Sequence, residues 1–204
     1  MPDGANHVAF AYSADGKDRF TTVYPNLNLL DGTKDFSGAW SNKEYWYKNG
    51  TYEGLTIMSF NTGNNAGLTK AFRIPSDGIY SISMLVKVKT GSIGRLVIES
   101  AGKPATIIEV PDTGGKFITK SYTGKFNSGT ASMFFSFKYD TPAVKDGVSV
   151  AGYKVEHGST VTPYMPSFSE VTAEDYPSYI GTYTDNDSNT QSTNPEKYSW
   201  KKIE

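Results

Sequence analysis

The chain has 204 residues, with 20 basic and 21 acidic side chains and a formal net charge of −1. The two signs are interspersed, so no like-charge footprint offers itself to a phosphate backbone or an anionic membrane, and neither nucleic acid nor membrane is expected as a partner. The absence of cysteine removes disulfides, thiolate metal sites and thiol nucleophiles.

The length suits one medium domain, or one domain with a small appendage. The opening Met1–Asn6 has neither the charged nor the apolar part of a secretion signal, and none is expected. No apolar stretch approaches the ~18 residues of a membrane-spanning helix. Aromatic residues make up 14% of the chain and glycine contributes 20 residues, a balance that favours strands and tight turns.

In chain order, His7–Tyr12 alternates weakly between apolar and polar. Strands are predicted at Leu55–Phe60 and Leu68–Ile74. The clearest alternation is Tyr80–Lys89: Tyr80, Ile82, Met84, Val86 and Val88 share one face, and Ser81, Ser83, Lys87 and Lys89 the other. That pattern predicts a long half-buried antiparallel strand. Arg95–Ser100, Thr106–Val110 and Phe117–Tyr122 follow. Met133, Phe135, Phe137 and Tyr139 then alternate with Ser132, Ser136 and Lys138, and Val148–Glu156 is the last strong strand. Turn signals such as Asn49-Gly50, Thr90-Gly91, Gly114-Gly115 and Asp146-Gly147 separate these runs. Strands at this spacing indicate a sandwich or barrel. The one candidate helical turn is near Val171–Tyr176. Thr182–Pro195 is rich in Asn, Asp, Ser and Thr.

Four stretches resemble carbohydrate-binding modules found in tail and baseplate proteins of phages that infect lactic acid bacteria and streptococci. Asn26–Gly38 is similar to the opening strand of those modules and Gly50–Ile57 to the next. Phe72–Tyr80 is similar to the phrase that leads into their long strand, and Tyr153–Tyr164 to their last strand and exit loop. His7–Phe20 at one end, with Tyr179–Asp185 and Asn194–Trp200 at the other, resembles the two halves of a short tail-protein module. The resemblance implies an all-β, antiparallel jelly-roll β-sandwich over residues 24–168. Residues 1–23 and 169–204 would form a small flanking β module, split by the insertion. Chain ends that enclose an insertion must lie close together, as domain termini often do.

The candidate binding residues are Trp40, Tyr45, Trp46, Tyr47 and Tyr52. Flat rings stack on the apolar faces of sugars, and Tyr and Trp keep a polar handle. Tyr45-Trp46-Tyr47 cannot all point inward from a strand, so part of this surface is expected outside. The alternative for each ring is a place in the core. Asn42, Asn64 and Asn65 lie nearby and offer both donor and acceptor to vicinal hydroxyls. The alternative there is ordinary loop polarity.

Asp185-Asn186-Asp187-Ser188-Asn189, with Glu196 at position twelve, has the oxygen spacing of a calcium loop. Thr190 stands where such a loop needs glycine, and Asx turns explain the segment better. Asp31, Asp35 or Glu156 would be the source of ligands for a structural calcium, but no spacing singles them out. No cofactor and no metal site is expected. Glycoside hydrolysis needs two carboxylates across a cleft, and spacing pairs none of Glu44, Glu53, Glu99, Glu109 and Glu156. His7 and His157 are the two histidines, and Ser149 lacks a nucleophile-elbow context. The chain therefore reads as a non-enzymatic adhesin of a phage virion. Its expected partners are host cell-wall polysaccharide and other tail or baseplate proteins. A purely structural baseplate module, or the binding domain of a wall hydrolase, is the alternative.

Overall fold

The computed structural model describes residues 4–204; Met1-Pro2-Asp3, part of the expected flanking segment, lie outside the described residues. The strands in chain order are β1 (Ala5–Ala11), β2 (Trp46–Tyr52), β3 (Leu55–Phe60), β4 (Leu68–Ile74), β5 (Gly78–Val88) and β6 (Gly94–Ser100). They continue with β7 (Lys103–Val110), β8 (Ile118–Phe126), β9 (Gly129–Phe137), β10 (Val148–His157), β11 (Tyr179–Asp185) and β12 (Ser199–Lys202). The chain forms two compact units: the residues up to Leu27 together with Thr162–Glu204, and Asn28–Val161.

The larger unit is an antiparallel jelly-roll sandwich. One sheet has the order β2-β3-β10-β5-β8 and the other β4-β9-β6-β7. The alternation foreseen for β5 holds on its inner side, where Tyr80, Ile82, Met84, Val86 and Val88 are fully buried. They meet Val148, Val150 and Val155 of β10, Leu96 and Ile98 of β6, and Met133, Phe135 and Phe137 of β9. Each such side chain contributes about 1.5–3 kcal/mol on burial.

A β-bulge in β10 makes this packing continuous. Pairing with β5 slips between Ala151 and Lys154, and Gly152 takes a φ of 55° there. The extra residue changes the side-chain parity. Val148 and Val150 precede it and Tyr153 and Val155 follow it, and all four face the core. The same shift puts Lys154 and Glu156 on the outer face, beside Ser83 and Ser81 of β5.

Three expectations are corrected. Asn26–Gly38 is not an opening strand but an irregular segment. Buried Asn28 fixes it: its amide donates to the Tyr153 carbonyl at 2.8 Å, and its carbonyl accepts from the Leu30 and Val155 amides at 3.0 Å. Side-chain bonds of this kind compete with a strand ladder. The β5 strand is not half-buried throughout, because Ser81 and Ser83 on its outer side are also buried. Tyr139 lies beyond the end of β9 and is exposed, with Asp140 turning the chain at a φ of 68°.

The smaller unit carries a three-stranded antiparallel sheet, β1-β11-β12, built from both chain ends. Buried His7 stacks on Tyr183 at 4.5 Å, and its Nε2 lies 2.9 Å from Asp185 Oδ1. Phe20, Tyr198 and Trp200 pack against one another. Gly16 is required beside them: its φ is +77°, and a Cβ there would stand 2.1 Å from the Trp200 ring. The helical turn foreseen near residues 171–176 is a single turn, Ala173–Asp175, capped by Thr172.

Candidate functional site

The register of the five-stranded sheet assembles a row of side chains on its outer face. Tyr47 of β2 pairs with Ser59 of β3, Ser59 with Ser149 of β10, and Ser149 with Lys87 of β5. The Lys87 Nζ lies 5.1 Å from the Phe117 ring, just before β8. Aromatic rings thus bracket two serines and a lysine. Beneath them the serine hydroxyls are 2.7 Å apart, and Asn49 donates to Ser59 Oγ at 3.1 Å. When the Ser59 hydroxyl donates its hydrogen bond to Ser149, the Ser149 hydroxyl is free to donate to a ligand oxygen.

This face is concave. Strands pack about 4.8 Å apart, so β2 and β8 would stand about 19 Å apart in a flat sheet. Yet Tyr52, at the end of β2, brings its ring within 4.8 Å of Phe117. A pocket of about 320 Å³ lies on the face, lined by Asn49, Lys87, Lys89, Gly115, Asp146 and Ser149. Its size falls at the lower end of small-ligand sites, roughly 300–1,000 Å³. Asp146 sits at its edge in the left-handed region, at a φ of 61°. The Tyr47 hydroxyl donates to the Asp146 carboxylate, and that bond holds the phenol above its ordinary pKa. Lys145 Nζ lies 5.3 Å from the Tyr47 ring.

Of the eight candidate residues, Tyr47 and Tyr52 are on this face. Trp46 is not: it is 5% exposed, it pairs with Phe60 across β2–β3, and its indole packs edge-on to that ring. Its Nε1 donates to the Ala66 carbonyl at 3.0 Å. Tyr45 lies in the short turn before β2 and packs on the core under Gly63, where a Cβ would come within 2.4 Å of the ring. Trp40 closes one end of the sandwich against Phe36 and Tyr153, its Nε1 donating to the Ser37 carbonyl at 2.9 Å.

The asparagines hold the loop at residues 61–67. The Asn42 amide donates to the Gly67 carbonyl at 2.9 Å. Asn65 donates to the Phe137 carbonyl at 2.7 Å and accepts from its amide at 2.8 Å, as a strand neighbour would. Asn64 is exposed, and its backbone carbonyl accepts from the Ala66 backbone amide at 2.6 Å.

The residues missed by sequence reasoning are Asn49, Ser59, Lys87, Phe117, Asp146 and Ser149. Their signals were the outward parity of Lys87 and the Asn49-Gly50 and Asp146-Gly147 turns; the row appears once the strand order is known.

Among the described residues, no group of three or more His, Asp or Glu is placed to hold a metal ion. Asp185 accepts from the Asp187 amide, and Asp187 from the Asn189 and Thr190 amides, which are Asx turns. Glu156 pairs with Lys154 at 3.4 Å, both buried. Asp35 accepts from the Ser37 amide at 3.0 Å.

No protein-family model matches the sequence, and no curated protein does. Among solved structures, the jelly-roll sandwich of this chain is shared with a carbohydrate-binding module. A family 61 carbohydrate-binding module, solved with β-1,4-galactotriose, shares this fold at a TM-score of 0.51 and 15% identity, covering 65% of this chain and all of that one. Over its full length the chain is similar to the tripod from the baseplate of bacteriophage Tuc2009. There the TM-score is 0.63 and the identity 27%, covering 100% of this chain and 80% of that one. Together they bear out the resemblance to phage carbohydrate-binding modules read from the sequence.

Proposed function

We propose that this chain is a saccharide-binding adhesion module of a phage tail or baseplate, and that the concave face of its five-stranded sheet receives the sugar. The observation that carries this reading is the Tyr47–Ser59–Ser149–Lys87–Phe117 row, which sets ring faces beside hydroxyl and ammonium donors. Rings contribute apolar stacking and the polar groups fix orientation, the division of labour expected of a small-ligand pocket. The full-length likeness to a baseplate tripod supports the virion setting.

The module works by reversible binding, with no bond made or broken. Among the described residues, Asp146 is the one carboxylate that lines the pocket, and one of its oxygens is engaged by Tyr47. A hydrolase would need a second carboxylate opposite it. No cofactor enters this reading. Weak single sites suffice, because many copies on one virion raise avidity by about 10²–10⁴. In the same reading the small module formed by the chain ends links the sandwich to neighbouring tail proteins. The partner of the concave face is the cell-wall polysaccharide of a Gram-positive host.

The test is a pull-down on walls of lactic acid bacteria and streptococci with the intact chain and its Tyr47→Ala and Phe117→Ala variants. Retention of the parent and loss in both folded variants supports the reading. Equal retention of all three places binding elsewhere. No retention of the parent on any wall favours a purely structural module.

A further inference from the structure

The charge around the pocket bears on the kind of saccharide it takes. Lys87 and Lys89 line it, and Lys145 stands at its edge over Tyr47. None of the three forms an ion pair among the described residues. The nearby carboxylates each already accept a hydrogen bond from the protein. Asp146 accepts from the Tyr47 hydroxyl. Asp112, on the loop that carries Gly115, accepts from the Thr90 hydroxyl and the Gly114 amide, both at 2.7 Å.

Two lysines against one carboxylate in the lining, with a third lysine at the edge, give the pocket a surplus of positive charge and of donors. An ammonium donates three hydrogen bonds and accepts none, and the Ser149 hydroxyl has its proton available in one polarity of the serine pair. A neutral hydroxyl both donates and accepts, so it leaves part of this lining unanswered. An anionic oxygen cluster answers it, with charge-assisted bonds roughly twice as strong as neutral ones. Lys87 and Lys89 are two residues apart on one side of an extended chain, about 6.7 Å between Cα atoms. That separation lets both ammonium groups reach one anionic group.

We propose that the pocket selects an anionic saccharide, its phosphodiester or carboxylate held between Lys87 and Lys89 with the sugar ring beside Tyr47. This rests on the adhesion reading and narrows its ligand class.

The experiment is calorimetric titration of the intact chain with four probes. They are polygalacturonate, a glucose-substituted poly(glycerol phosphate), neutral galactan, and inorganic polyphosphate as an anion without sugar. One of the two anionic saccharides is expected to bind at least about tenfold tighter than galactan and polyphosphate, and which one it is identifies the charged group. Raising NaCl from about 50 to about 500 mM should weaken that binding about tenfold as the charges are screened. Lys87→Gln and Lys89→Gln should each weaken it roughly three- to tenfold with the unfolding midpoint unchanged, and Lys87→Arg should retain it.

Galactan binding as tightly as both anionic polymers, polyphosphate binding as tightly as either, or unchanged affinity in both Gln variants overturns the inference. Adhesion itself still stands in those cases, provided the chain is retained on host walls. Absence of binding to every probe and every wall removes the adhesion reading, and this inference with it.

Discussion

The Tyr52 and Phe117 rings lie 4.8 Å apart although they come from opposite edges of one five-stranded sheet. The contact joins the β2–β3 hairpin tip to the loop entering β8, over a face floored by β3, β10 and β5. A ring pair contributes about 0.5–1.5 kcal/mol beyond the area it buries. Tyr52→Ala and Phe117→Ala should each lower unfolding free energy by about 1–2 kcal/mol. Their double mutant should cost less than the sum, and urea unfolding of the three variants measures that coupling.

Trp46 and Tyr47 are neighbours in sequence with opposite fates. Trp46→Ala empties a core site and releases the Ala66 carbonyl, so it should cost about 3–5 kcal/mol. Any binding defect it shows would follow from unfolding. Tyr47→Ala should change stability by about 1 kcal/mol or less, while saccharide affinity falls about tenfold, roughly 1.4 kcal/mol. Thermal melts run beside glycan titrations separate the two effects. A stable Trp46→Ala variant with normal melting and no binding would contradict the assignment of that indole to the core.

Asn65 closes two hydrogen bonds with the Phe137 backbone. Asn65→Ala should cost about 1–3 kcal/mol. It should also speed amide hydrogen exchange across residues 61–67 while leaving wall binding intact. Hydrogen exchange read by mass spectrometry checks the first effect, and retention on walls checks the second.

The strands were largely legible in the sequence, because a sheet buried on one face writes its period into the chain. Leu55–Phe60 and Leu68–Ile74 are β3 and β4 residue for residue. Legibility failed where the period is interrupted. Asn28 holds its segment by side-chain bonds to β10, a tertiary pairing that no local pattern announces. The aromatic run at residues 40–52 carried too little information to sort its rings. Adjacent residues of a strand face opposite ways, so Tyr47 reached the concave face and Trp46 the core. Lys87, Ser59 and Ser149 come from three strands far apart in the chain. They become a row only through the order β2-β3-β10-β5-β8, which the sequence does not state.

Lys154 gives a pH dependence. Burial lowers its ammonium pKa to about 8, partly offset by Glu156, against about 10.4 in an unfolded chain. Between these values the unfolded chain binds the proton more tightly, so folding stability rises with pH from about 8 toward 10.4. The rise should amount to about 1–3 kcal/mol. Above about pH 10 it reverses, because burial pushes the Tyr12 and Tyr153 phenols well up and the unfolded chain ionises first. Urea midpoints from pH 7 to 11 test this. The rise should vanish in Lys154→Met/Glu156→Leu, which should unfold within about 1–2 kcal/mol of the parent at pH 7.

The most direct test of the concave-face assignment is an NMR map of the intact chain during titration with host-wall saccharide fragments. The account predicts shift changes centred on Tyr47, Asn49, Lys87, Phe117, Asp146 and Ser149. Changes centred instead on Trp40, or on the outer side of β4-β9-β6-β7, would contradict it.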